Sequence, residues 1–410
     1  MTGFTCRGCG AALHQTFVDL GAQPLANSYL EPAALNRMEP FFPLHVRVCE
    51  TCFLVQLPEV ESPESIFGDY AYFSSFSDLW LAHAEAYVEQ MVERLALDAD
   101  SHVIEIASND GYLLQYMVAR GVPVLGVEPA ANVAKVAEER GVPTLVAFFG
   151  VETARQLVAE GRGADLIAGN NVLAHVPDLQ DFIAGLSIAL NPGGTITLEF
   201  PHLLRLISER QFDTIYHEHF SYLSLLALAP IFARNDLAVV DVDRLTTHGG
   251  SLRLYLRHAG EGVAPTAAVA ELVEDEAAGG LGVLDTYVGY AEEVAEVKRD
   301  LLDFLIHARR DGRRVVGYGA PAKGNTLLNY CGIRGDLVEY TVDRSPHKQG
   351  LFLPGVHLAI HAPERILADR PDYVLILPWN LADEIVEQLS AVREWGGRFA
   401  VPVPRVAVVG

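Results

Sequence analysis

The sequence predicts an α/β protein with three parts, a small N-terminal domain followed by two units in which strands and helices alternate. Four of the five cysteines lie within the first 52 residues, where no long helical period occurs. After about residue 100, and again after about residue 313, short runs of β-branched and apolar residues alternate with helical patterns. Such alternation is typical of a doubly wound parallel sheet with helices on both faces.

The composition excludes several classes of protein. A hydrophobic content of 50% over 410 residues excludes a disordered chain, yet no charge-free apolar run approaches the ~20 residues that span a bilayer. The net charge of −23 repels nucleic acid and anionic membrane surfaces. The opening stretch lacks the apolar segment of a secretory signal. We therefore expect a cytoplasmic protein with no nucleic acid and no membrane as partner.

The N-terminal part contains two CxxC pairs, formed by Cys6 with Cys9 and by Cys49 with Cys52. Each pair places two thiolates close enough to share an ion, and four sulfurs complete the tetrahedron of a structural zinc. Redox-active thiols are the alternative. The long gap between the pairs requires the intervening segment to have a structure of its own. Cys331 lies alone at a predicted helix end and is expected to be inert.

The first α/β unit follows a helix that is expected over 77–96, where apolar residues recur with helical spacing. Strands are expected at 103–107, 124–127, 144–147, 166–168 and 195–200, with helices at 113–120, 132–140, 151–159 and 179–190. An excursion over 201–248 is rich in His, Tyr, Phe and acidic residues and precedes one more strand at 251–256. Long excursions in compact folds are usually functional loops.

The turn after the first of these strands has the position at which an open α/β sheet binds its ligand. Its candidate cofactor-binding residues are Glu105, Ser108, Asn109, Asp110 and Gly111. Glu128 ends the next strand with a carboxylate that suits the two hydroxyls of a ribose. Ser108 and Asn109 stand where a dinucleotide fingerprint has glycines, which favours a cofactor without phosphates, namely S-adenosylmethionine. A polar turn without a ligand is the alternative.

Further polar residues follow the fourth predicted strand at the same edge of the sheet. Asn170 and Asn171 are expected to lie beside the cofactor crevice. His175 follows them and is either a catalyst or a capping and packing residue.

The excursion contains Tyr216, His217, Glu218 and His219 in succession. This spacing differs from that of a HExxH zinc helix, so general acid/base chemistry is the better interpretation. An imidazole can take a proton near neutral pH, a carboxylate can orient it, and a tyrosine hydroxyl can donate to a developing oxyanion. A polar loop without a catalytic role is the alternative.

An aromatic cluster between the cysteine-containing domain and the first sheet includes Tyr70 and Tyr72. Taken alone, such a cluster is more often a packing feature than a functional one.

One long amphipathic helix is expected over 272–309, where it would join the two α/β units. The second unit then has predicted strands at 314–317, 338–342, 373–377 and 398–401. Helices are expected at 323–330, 364–369 and 382–394.

A glycine-containing turn follows the first strand of this second unit and opens a helix. It carries Tyr318, Gly319, Lys323 and Asn325. Glycine permits close backbone approach, a helix N-terminus favours an anion, and Lys323 adds a positive charge. The turn is either a phosphate site or a simple connection.

The turn after the next strand of the second unit offers more groups for the same ligand. Asp343 and Lys348 lie there and could supply a ribose carboxylate and a cation. Trp379 and Asn380, after the third strand, could reach the same crevice.

Taken in this order, the motifs resemble those of the bacterial sugar-nucleotide C-methyltransferases, enzymes of branched deoxysugar pathways such as the tetronitrose pathway. The resemblance rests on the cysteine pairs, the Glu105–Gly111 turn, the Asn170–His175 segment, the Tyr216–His219 segment and the Gly317–Asn325 turn, and it covers essentially the whole chain. It implies a zinc-binding domain at 1–65, a Rossmann-like S-adenosylmethionine-dependent methyltransferase domain at 66–275, and a second Rossmann-like α/β domain that binds the sugar nucleotide at 276–410.

The resemblance also implies roles for individual residues. His219 matches the family's catalytic histidine, and either Tyr70 or Tyr72 matches an upstream active-site tyrosine. Other active-site positions match Tyr216, Glu218 and His175. The implied reaction is methylation of carbon 3 of a nucleotide-linked, TDP-type 4-keto-6-deoxysugar in antibiotic or deoxysugar biosynthesis, and a monomer is the expected state.

Other classes of function stay open from the sequence. A nicotinamide-dependent sugar-nucleotide oxidoreductase would use the same two crevices, although Ser108 and Asn109 replace its phosphate-binding glycines. A zinc-ribbon protein that binds nucleic acid is opposed by the net charge of −23. A catalytically silent sugar-nucleotide-binding protein is opposed by the intact run from Tyr216 to His219.

Overall fold

The computed structural model describes residues 4–62 and 73–410, so Tyr70 and Tyr72 lie outside the described residues. The chain divides into two compact units. The first comprises Met1–Leu13, Cys49–His202 and Phe220–Gly282, and the second comprises His14–Val48, Leu203–His219 and Val283–Gly410. The division into domains at residues 65 and 275 stays a prediction.

Strands and α-helices alternate along most of the chain. The strands are β1 (Gln15–Gln23), β2 (Phe42–Val48), β3 (Val55–Gln56), β4 (Val103–Ile106), β5 (Val124–Val127), β6 (Thr144–Leu145), β7 (Ala164–Asn170), β8 (Leu190–Pro201), β9 (Ser221–Tyr222), β10 (Leu237–Leu245), β11 (Ser251–His258), β12 (Val315–Tyr318), β13 (Thr341–Val342), β14 (Ile360–His361), β15 (Tyr373–Ile376), β16 (Arg398–Val401) and β17 (Ala407–Val409). The helices are α1 (Asp78–Leu95), α2 (Leu114–Ala119), α3 (Ala131–Glu139), α4 (Val151–Ala159), α5 (Leu179–Ala189), α6 (Leu203–Ser208), α7 (Leu225–Arg234), α8 (Ala267–Ala278), α9 (Leu284–Arg310), α10 (Ala322–Cys331), α11 (Glu364–Asp369) and α12 (Ala382–Gln388). Within the described ranges, no helix is both long and apolar enough to cross a bilayer.

The first unit is built on a seven-stranded sheet in the order β10-β11-β8-β7-β4-β5-β6. The five strands expected from the sequence are present, and β8-β7-β4-β5-β6 pair in parallel. The expectation of a wholly parallel sheet is corrected at one end, because β11 pairs antiparallel with both β8 and β10. A short 3₁₀ turn, Thr247–Gly249, joins β10 to β11, and a connection this short permits only antiparallel neighbours.

Both faces of this sheet are covered by helices. Alternate residues of β4 point to opposite sides, so Ile104 and Ile106 join the core formed with α4, α5 and α7, while Val103 joins the core formed with α1 and α2. This arrangement leaves the carboxyl ends of β4, β5 and β7 at one edge, where a ligand site is expected.

Two short antiparallel ladders accompany the larger sheets. In the first unit, β3 pairs with β9 through Val55 with Tyr222 and Gln56 with Ser221. In the second unit, β1 pairs with β2, and Phe17 of β1 stacks on Tyr290 of α9 with ring centroids 4.6 Å apart.

The second unit contains a six-stranded sheet in the order β14-β13-β12-β15-β16-β17. The first five strands are parallel and β17 is antiparallel to β16. Its core brings strand residues such as Val316, Val374 and Phe399 together with Ile366 of α11 and Ile385 of α12.

The single helix expected over 272–309 is wrong. The structure has α8, which ends at Ala278, and α9, which begins at Leu284. Gly279 and Gly280 follow α8, and Gly280 has a φ of 81°, in the left-handed region that ends helices. The helix expected over 382–394 is also shorter than predicted, because α12 ends at Gln388 and a 3₁₀ helix follows over Ser390–Trp395.

Candidate active site and zinc centre

The four cysteines of the two CxxC pairs come together in the first unit. Their sulfur atoms all lie within 4.8 Å of one another, and the Cys6–Cys52 and Cys9–Cys49 sulfur pairs are each 3.5 Å apart. Four thiolates about 2.3 Å from a central zinc form a tetrahedron with edges near these separations. The donor set therefore fits a closed structural zinc site.

Tight turns bring the paired sulfurs together. The Gly10 N–H donates to the Cys6 carbonyl at 2.8 Å, and the Phe53 N–H donates to the Cys49 carbonyl at 2.9 Å. Gly10 and Phe53 have φ values of 78° and 58°, which close each turn in the left-handed region. The Gln56 side-chain amide donates to the Cys6 sulfur at 3.1 Å, a contact that favours the thiolate form.

The turn after β4 has the backbone of a ligand loop. Ala107, Asn109 and Gly111 have φ values of 56°, 49° and 75°. A Cβ on Gly111 would lie 3.1 Å from Val142, and a Cβ on Gly126 of β5 would lie 2.3 Å from the Ser108 hydroxyl. Glycine at these two positions lets the turn and its neighbouring strand pack closely.

Several buried polar atoms at this edge have no hydrogen-bond partner within residues 4–62 and 73–410. They are Ser108 Oγ, Asp110 Oδ1 and, after β7, Asn171 Oδ1. Buried polar atoms are nearly always hydrogen-bonded, so such a group indicates a polar ligand or ordered water. The residues present fit a small polar nucleoside such as S-adenosylmethionine.

Glu105 of β4 and Glu128, which follows β5, are both buried. Burial raises the pKa of Glu105 well above its usual value, and the Tyr112 hydroxyl opposes this by favouring the ionised form. Burial also raises the pKa of Glu128, whose two oxygens accept the N–H groups of Asn109 at 3.0 Å and Ala130 at 2.8 Å. Glu128 therefore holds the turn after β4 in place, a role that the sequence did not predict.

Asn170, Asn171 and His175 lie at the end of β7, as expected. Asn171 has a φ of 54°, its N–H donates to the carbonyl of Glu199 at 2.7 Å, and its side-chain amide lies 3.2 Å from His248 Nε2. His175 ends a 3₁₀ turn, Leu173–His175, and its N–H donates to the carbonyl of Val172 at 2.8 Å.

A charged cluster that the sequence analysis missed lies beside Asn170. Glu199 of β8 is opposite Asn170 in the ladder, and its carboxylate contacts His83 Nε2 at 3.0 Å and Arg253 Nη2 at 2.8 Å. Although burial opposes it, the hydrogen bond from His83 and the charge of Arg253 hold the pKa of Glu199 below its usual value. The available signal was one charged residue among the buried residues of each strand, Glu199 in β8 and Arg253 in β11.

In the second unit, His219 and Tyr216 lie together. His219 Nδ1 is 2.8 Å from the carbonyl of Thr214, which places the ring proton on Nδ1 and makes Nε2 the basic nitrogen. The Tyr216 and His219 rings have centroids 4.0 Å apart.

Glu218, between these two residues in sequence, is buried with one identified donor. The Asn27 side-chain amide donates to its Oε1 at 2.7 Å. Burial raises the pKa of Glu218 to about 7, and the Asn27 contact opposes that rise. Its neighbour His217 lies 3.3 Å from the carbonyl of Phe42, and burial lowers the pKa of His217.

Lys323 is enclosed by side chains of the second unit. Its ammonium lies 4.3 Å from the centre of the Trp379 ring and donates to Asn380 Oδ1. Burial lowers the pKa of Lys323 to about 8, and the negative charge of Asp213 opposes this. Asp213 accepts from the Trp379 indole at 2.7 Å, and burial raises its pKa to about 6.

Four of the predicted substrate residues line a separate cavity of about 210 Å³. These are Tyr318, Gly319, Asp343 and Lys348, and Arg344 adds a second cation. Gly319 has a φ of 88°, and a Cβ there would lie 2.5 Å from Pro378. The other two predicted residues, Lys323 and Asn325, are not among the residues that line it. Asn325 is buried and accepts from the Asn329 side chain at 3.1 Å.

Three family models match successive parts of the chain. A "Putative zinc binding domain" model matches residues 6–67, a methyltransferase domain model matches 80–242, and a C-methyltransferase C-terminal domain model matches 246–404. Together with the four clustered cysteines, they confirm the expected fold class, with S-adenosylmethionine and zinc as its cofactors.

Individual proteins are similar over different lengths. The ubiquinone biosynthesis O-methyltransferase of Chromobacterium violaceum is 33% identical over 110 residues, 26% of this chain and 46% of that protein. A solved S-adenosylmethionine-dependent methyltransferase of Anabaena variabilis is 13% identical with a TM-score of 0.35, over 43% of this chain and 85% of that one. The C-methyltransferase NovU of Streptomyces niveus is 37% identical over 404 residues, 98% of this chain and 96% of NovU. A likeness of this extent confirms the resemblance seen in the motifs, and the chain belongs to the C-methyltransferase family that includes NovU.

Proposed function

We propose that the chain methylates carbon 3 of a TDP-linked 4-keto-6-deoxysugar by forming an enolate with His219 as the base. The observation that carries this proposal is which ring nitrogen of His219 holds the proton. Because its Nδ1 proton is engaged by the Thr214 carbonyl, Nε2 is the nitrogen that can accept a proton.

The chemistry of the acceptor requires such a base. A ketone at carbon 4 acidifies the carbon 3 proton, which moves to His219 Nε2 while the C–H electrons form the enolate. The hydroxyl of Tyr216, whose ring lies against that of His219, is suited to donate to the enolate oxygen. S-adenosylmethionine supplies an electrophilic methyl group when bound. Its proposed ligands are the residues of the β4 turn together with Glu128, Asn170 and Asn171.

Three further residues have supporting roles in this proposal. Glu218 directly precedes the proposed base in the sequence. Its side chain is buried and accepts from Asn27, and its pKa of about 7 adds a carboxyl group that titrates near neutral pH. His175 is a second imidazole candidate, and the tyrosine at position 70 or 72 completes the proposed set.

The sugar nucleotide is assigned to the second unit because its cavity combines cations with carboxylates beside a glycine-containing turn. Lys348 and Arg344 could contact a diphosphate, and Asp343 and Glu384 also line the space, with Lys348 3.9 Å from the Asp343 carboxylate. Lys348 donates to the carbonyl of Ala320 at 2.9 Å, which holds its ammonium at the glycine-containing turn. We propose this cavity as the diphosphate site and retain Lys323, whose ammonium lies 4.3 Å from the centre of the Trp379 ring, as a further cation for the nucleotide.

The test separates proton removal from methyl transfer. The protein is incubated in deuterated water with S-adenosylhomocysteine and TDP-4-keto-6-deoxysugars, and loss of the carbon 3 proton is followed by NMR. The His219→Asn variant should lose exchange by roughly 10²–10⁴-fold, the usual value of a positioned base. Tyr216→Phe should retain slow exchange, since removing one oxyanion donor costs on the order of 10²–10³.

The neighbouring histidine provides a matched control. His217→Asn should keep exchange near the wild-type rate, because His217 contacts the carbonyl of Phe42 rather than the proposed acceptor. Wild-type exchange in His219→Asn would remove this residue from the role of base. Mass spectrometry with S-adenosylmethionine and a panel of sugar nucleotides then tests the acceptor, and methylation of a GDP sugar but no TDP sugar would refute that part.

A further inference from the structure

Arg7 stands between the cysteines of the first zinc-binding pair, and its side chain leaves that turn for another part of the first unit. Its guanidinium donates to the carbonyl of Phe220, to the Ser221 hydroxyl at 3.2 Å and to the carbonyl of Leu57 at 2.8 Å. The guanidinium carbon also lies 5.6 Å from the centre of the Phe220 ring. The Arg7 side chain therefore binds the segment that begins directly after His219.

Phe220 is held from its other side as well. Its N–H donates at 2.7 Å to the carbonyl of Ala174, the residue before His175. Its carbonyl accepts the Leu57 N–H at 2.9 Å in addition to the Arg7 guanidinium. The backbone of Phe220 is thus fixed between the zinc-binding turn and the 3₁₀ turn that carries His175.

The second cysteine pair reaches the same place through the chain. Cys52 is followed within three residues by β3, and β3 pairs with β9, which begins one residue after Phe220. Gln56 of β3 accepts the Arg7 N–H at 3.0 Å with its side-chain oxygen and donates to the Cys6 sulfur. Both cysteine pairs are therefore linked to the β3–β9 ladder. The Cys49–Cys52 pair is linked through the chain, and the Cys6–Cys9 pair is linked by hydrogen bonds.

We propose that Arg7 is a positioning residue. By holding Phe220 and Ser221 against the zinc-binding turn, it fixes the position of His219, the proposed base. The inference rests on the proposed role of His219, whose carbonyl carbon is bonded to the Phe220 nitrogen. An arginine suits this task because its planar group can serve three acceptors at once, whereas a lysine ammonium is a point charge. The zinc centre then contributes to the placement of the reacting groups as well as to folding.

The experiment measures local order and proton removal in the full-length, zinc-loaded protein. In Arg7→Ala, backbone amide hydrogen exchange at Phe220 and Ser221 should be at least about tenfold faster than in wild type. Deuterium exchange at carbon 3 of the sugar should fall on the order of 10-fold to 100-fold through kcat, because small displacements of a catalytic group are costly. Zinc content and S-adenosylhomocysteine affinity should stay within twofold.

Arg234→Ala is the matched control. Arg234 donates to the carbonyl of Gly8 in the same cysteine turn and has no recorded hydrogen bond to the 220–221 backbone among the described residues. It should leave both exchange rates unchanged. Added guanidinium should restore part of the carbon 3 exchange to Arg7→Ala, and Arg7→Lys should lie between alanine and wild type. If Arg7→Ala does not fold, the same measurements on Arg7→Lys decide.

Two results would overturn the inference and leave the proposed function intact. One is a folded Arg7→Ala protein with wild-type amide exchange at Phe220 and Ser221, and the other is equal loss in Arg7→Ala and Arg234→Ala. Failure of the proposed function has a different signature. Wild-type carbon 3 exchange in His219→Asn would overturn both claims, whereas loss in His219→Asn with wild-type behaviour of Arg7→Ala would overturn the inference alone.

Discussion

The substitution Glu128→Gln separates the two tasks that we assign to this carboxylate. Glu128 is 5% exposed and accepts two backbone N–H groups, from Asn109 and Ala130. Glutamine has one side-chain oxygen, so one of these N–H groups would face an NH₂ donor. Loss of one hydrogen bond to a charged acceptor costs about 1.5–3 kcal/mol of unfolding free energy. Because glutamine is uncharged, the cost of burying the charge is removed and offsets part of this loss. We therefore expect a loss of unfolding free energy near the lower end of that range.

The effect of the substitution on cofactor affinity should be separate from the effect on unfolding free energy. If Glu128 also accepts the ribose hydroxyls, losing a charged acceptor costs a further 1.5–3 kcal/mol of binding, which is about 10- to 150-fold in Kd. Urea unfolding gives the first quantity and calorimetry with S-adenosylhomocysteine gives the second. Glu138→Gln, on the exposed face of α3, is the control and should change neither.

Two outcomes would refute this reasoning at different points. A wild-type Kd in a destabilised Glu128→Gln protein would leave the carboxylate as a clamp on the Asn109 turn and remove the ribose role. Unchanged unfolding free energy would show that the lost backbone contact gives no net stabilisation over the cost of burying the charge.

Three further predictions concern other parts of the molecule. Cys49→Ser should lose stoichiometric zinc in elemental analysis and several kcal/mol of stability, out of the about 10–16 kcal/mol typical of structural zinc sites. Burial raises the pKa of Glu218 from 4.5 to about 7, so the folded state binds this proton more tightly than the unfolded state. Wild type should therefore lose about 3 kcal/mol of unfolding free energy from this group as pH rises from 4.5 to 7, and denaturant unfolding of Glu218→Gln should lack that loss. Lys348→Met should weaken TDP binding about tenfold in calorimetry with unchanged S-adenosylhomocysteine affinity, and equal losses of both would indicate a folding defect instead.

The parallel part of the first sheet could be predicted because each strand is a local apolar run. The position of the turn after β4 followed from it, and the cofactor role of that turn stays a prediction that rests on the usual binding of ligands at the carboxyl ends of such strands. What the turn does with Glu128 could not be predicted, because both N–H contacts depend on backbone angles such as the φ of 49° at Asn109. The pairing of Glu199 with Arg253 was hidden for a similar reason, since it exists only once β8 and β11 are neighbours.

For other differences between the predicted and the observed elements, the sequence contained a local signal, but a stronger pattern opposed it. The run from Leu237 to Leu245 alternates apolar and polar residues over much of its length, yet it lies in a segment assigned to a functional excursion. Gly279 and Gly280 could have ended the long helix, but the many Ala, Glu and Leu residues on both sides favoured continuity. The interleaving of the two units had no signal at all, because it is set by contacts between segments far apart in the sequence.

That interleaving decides where segments could be exchanged between relatives by recombination. The second unit draws on Val283–Gly410 and also on His14–Val48 and Leu203–His219. A crossover placed at residue 276 would exchange only Val283–Gly410 among these segments and would separate Glu276 from the residues that it contacts in its own chain. The carboxylate of Glu276 accepts the N–H groups of Leu225 and Leu226 at 2.7 Å and so caps α7. A functional chimaera therefore needs three coordinated exchanges, with breakpoints near residues 13, 48, 202, 219 and 282.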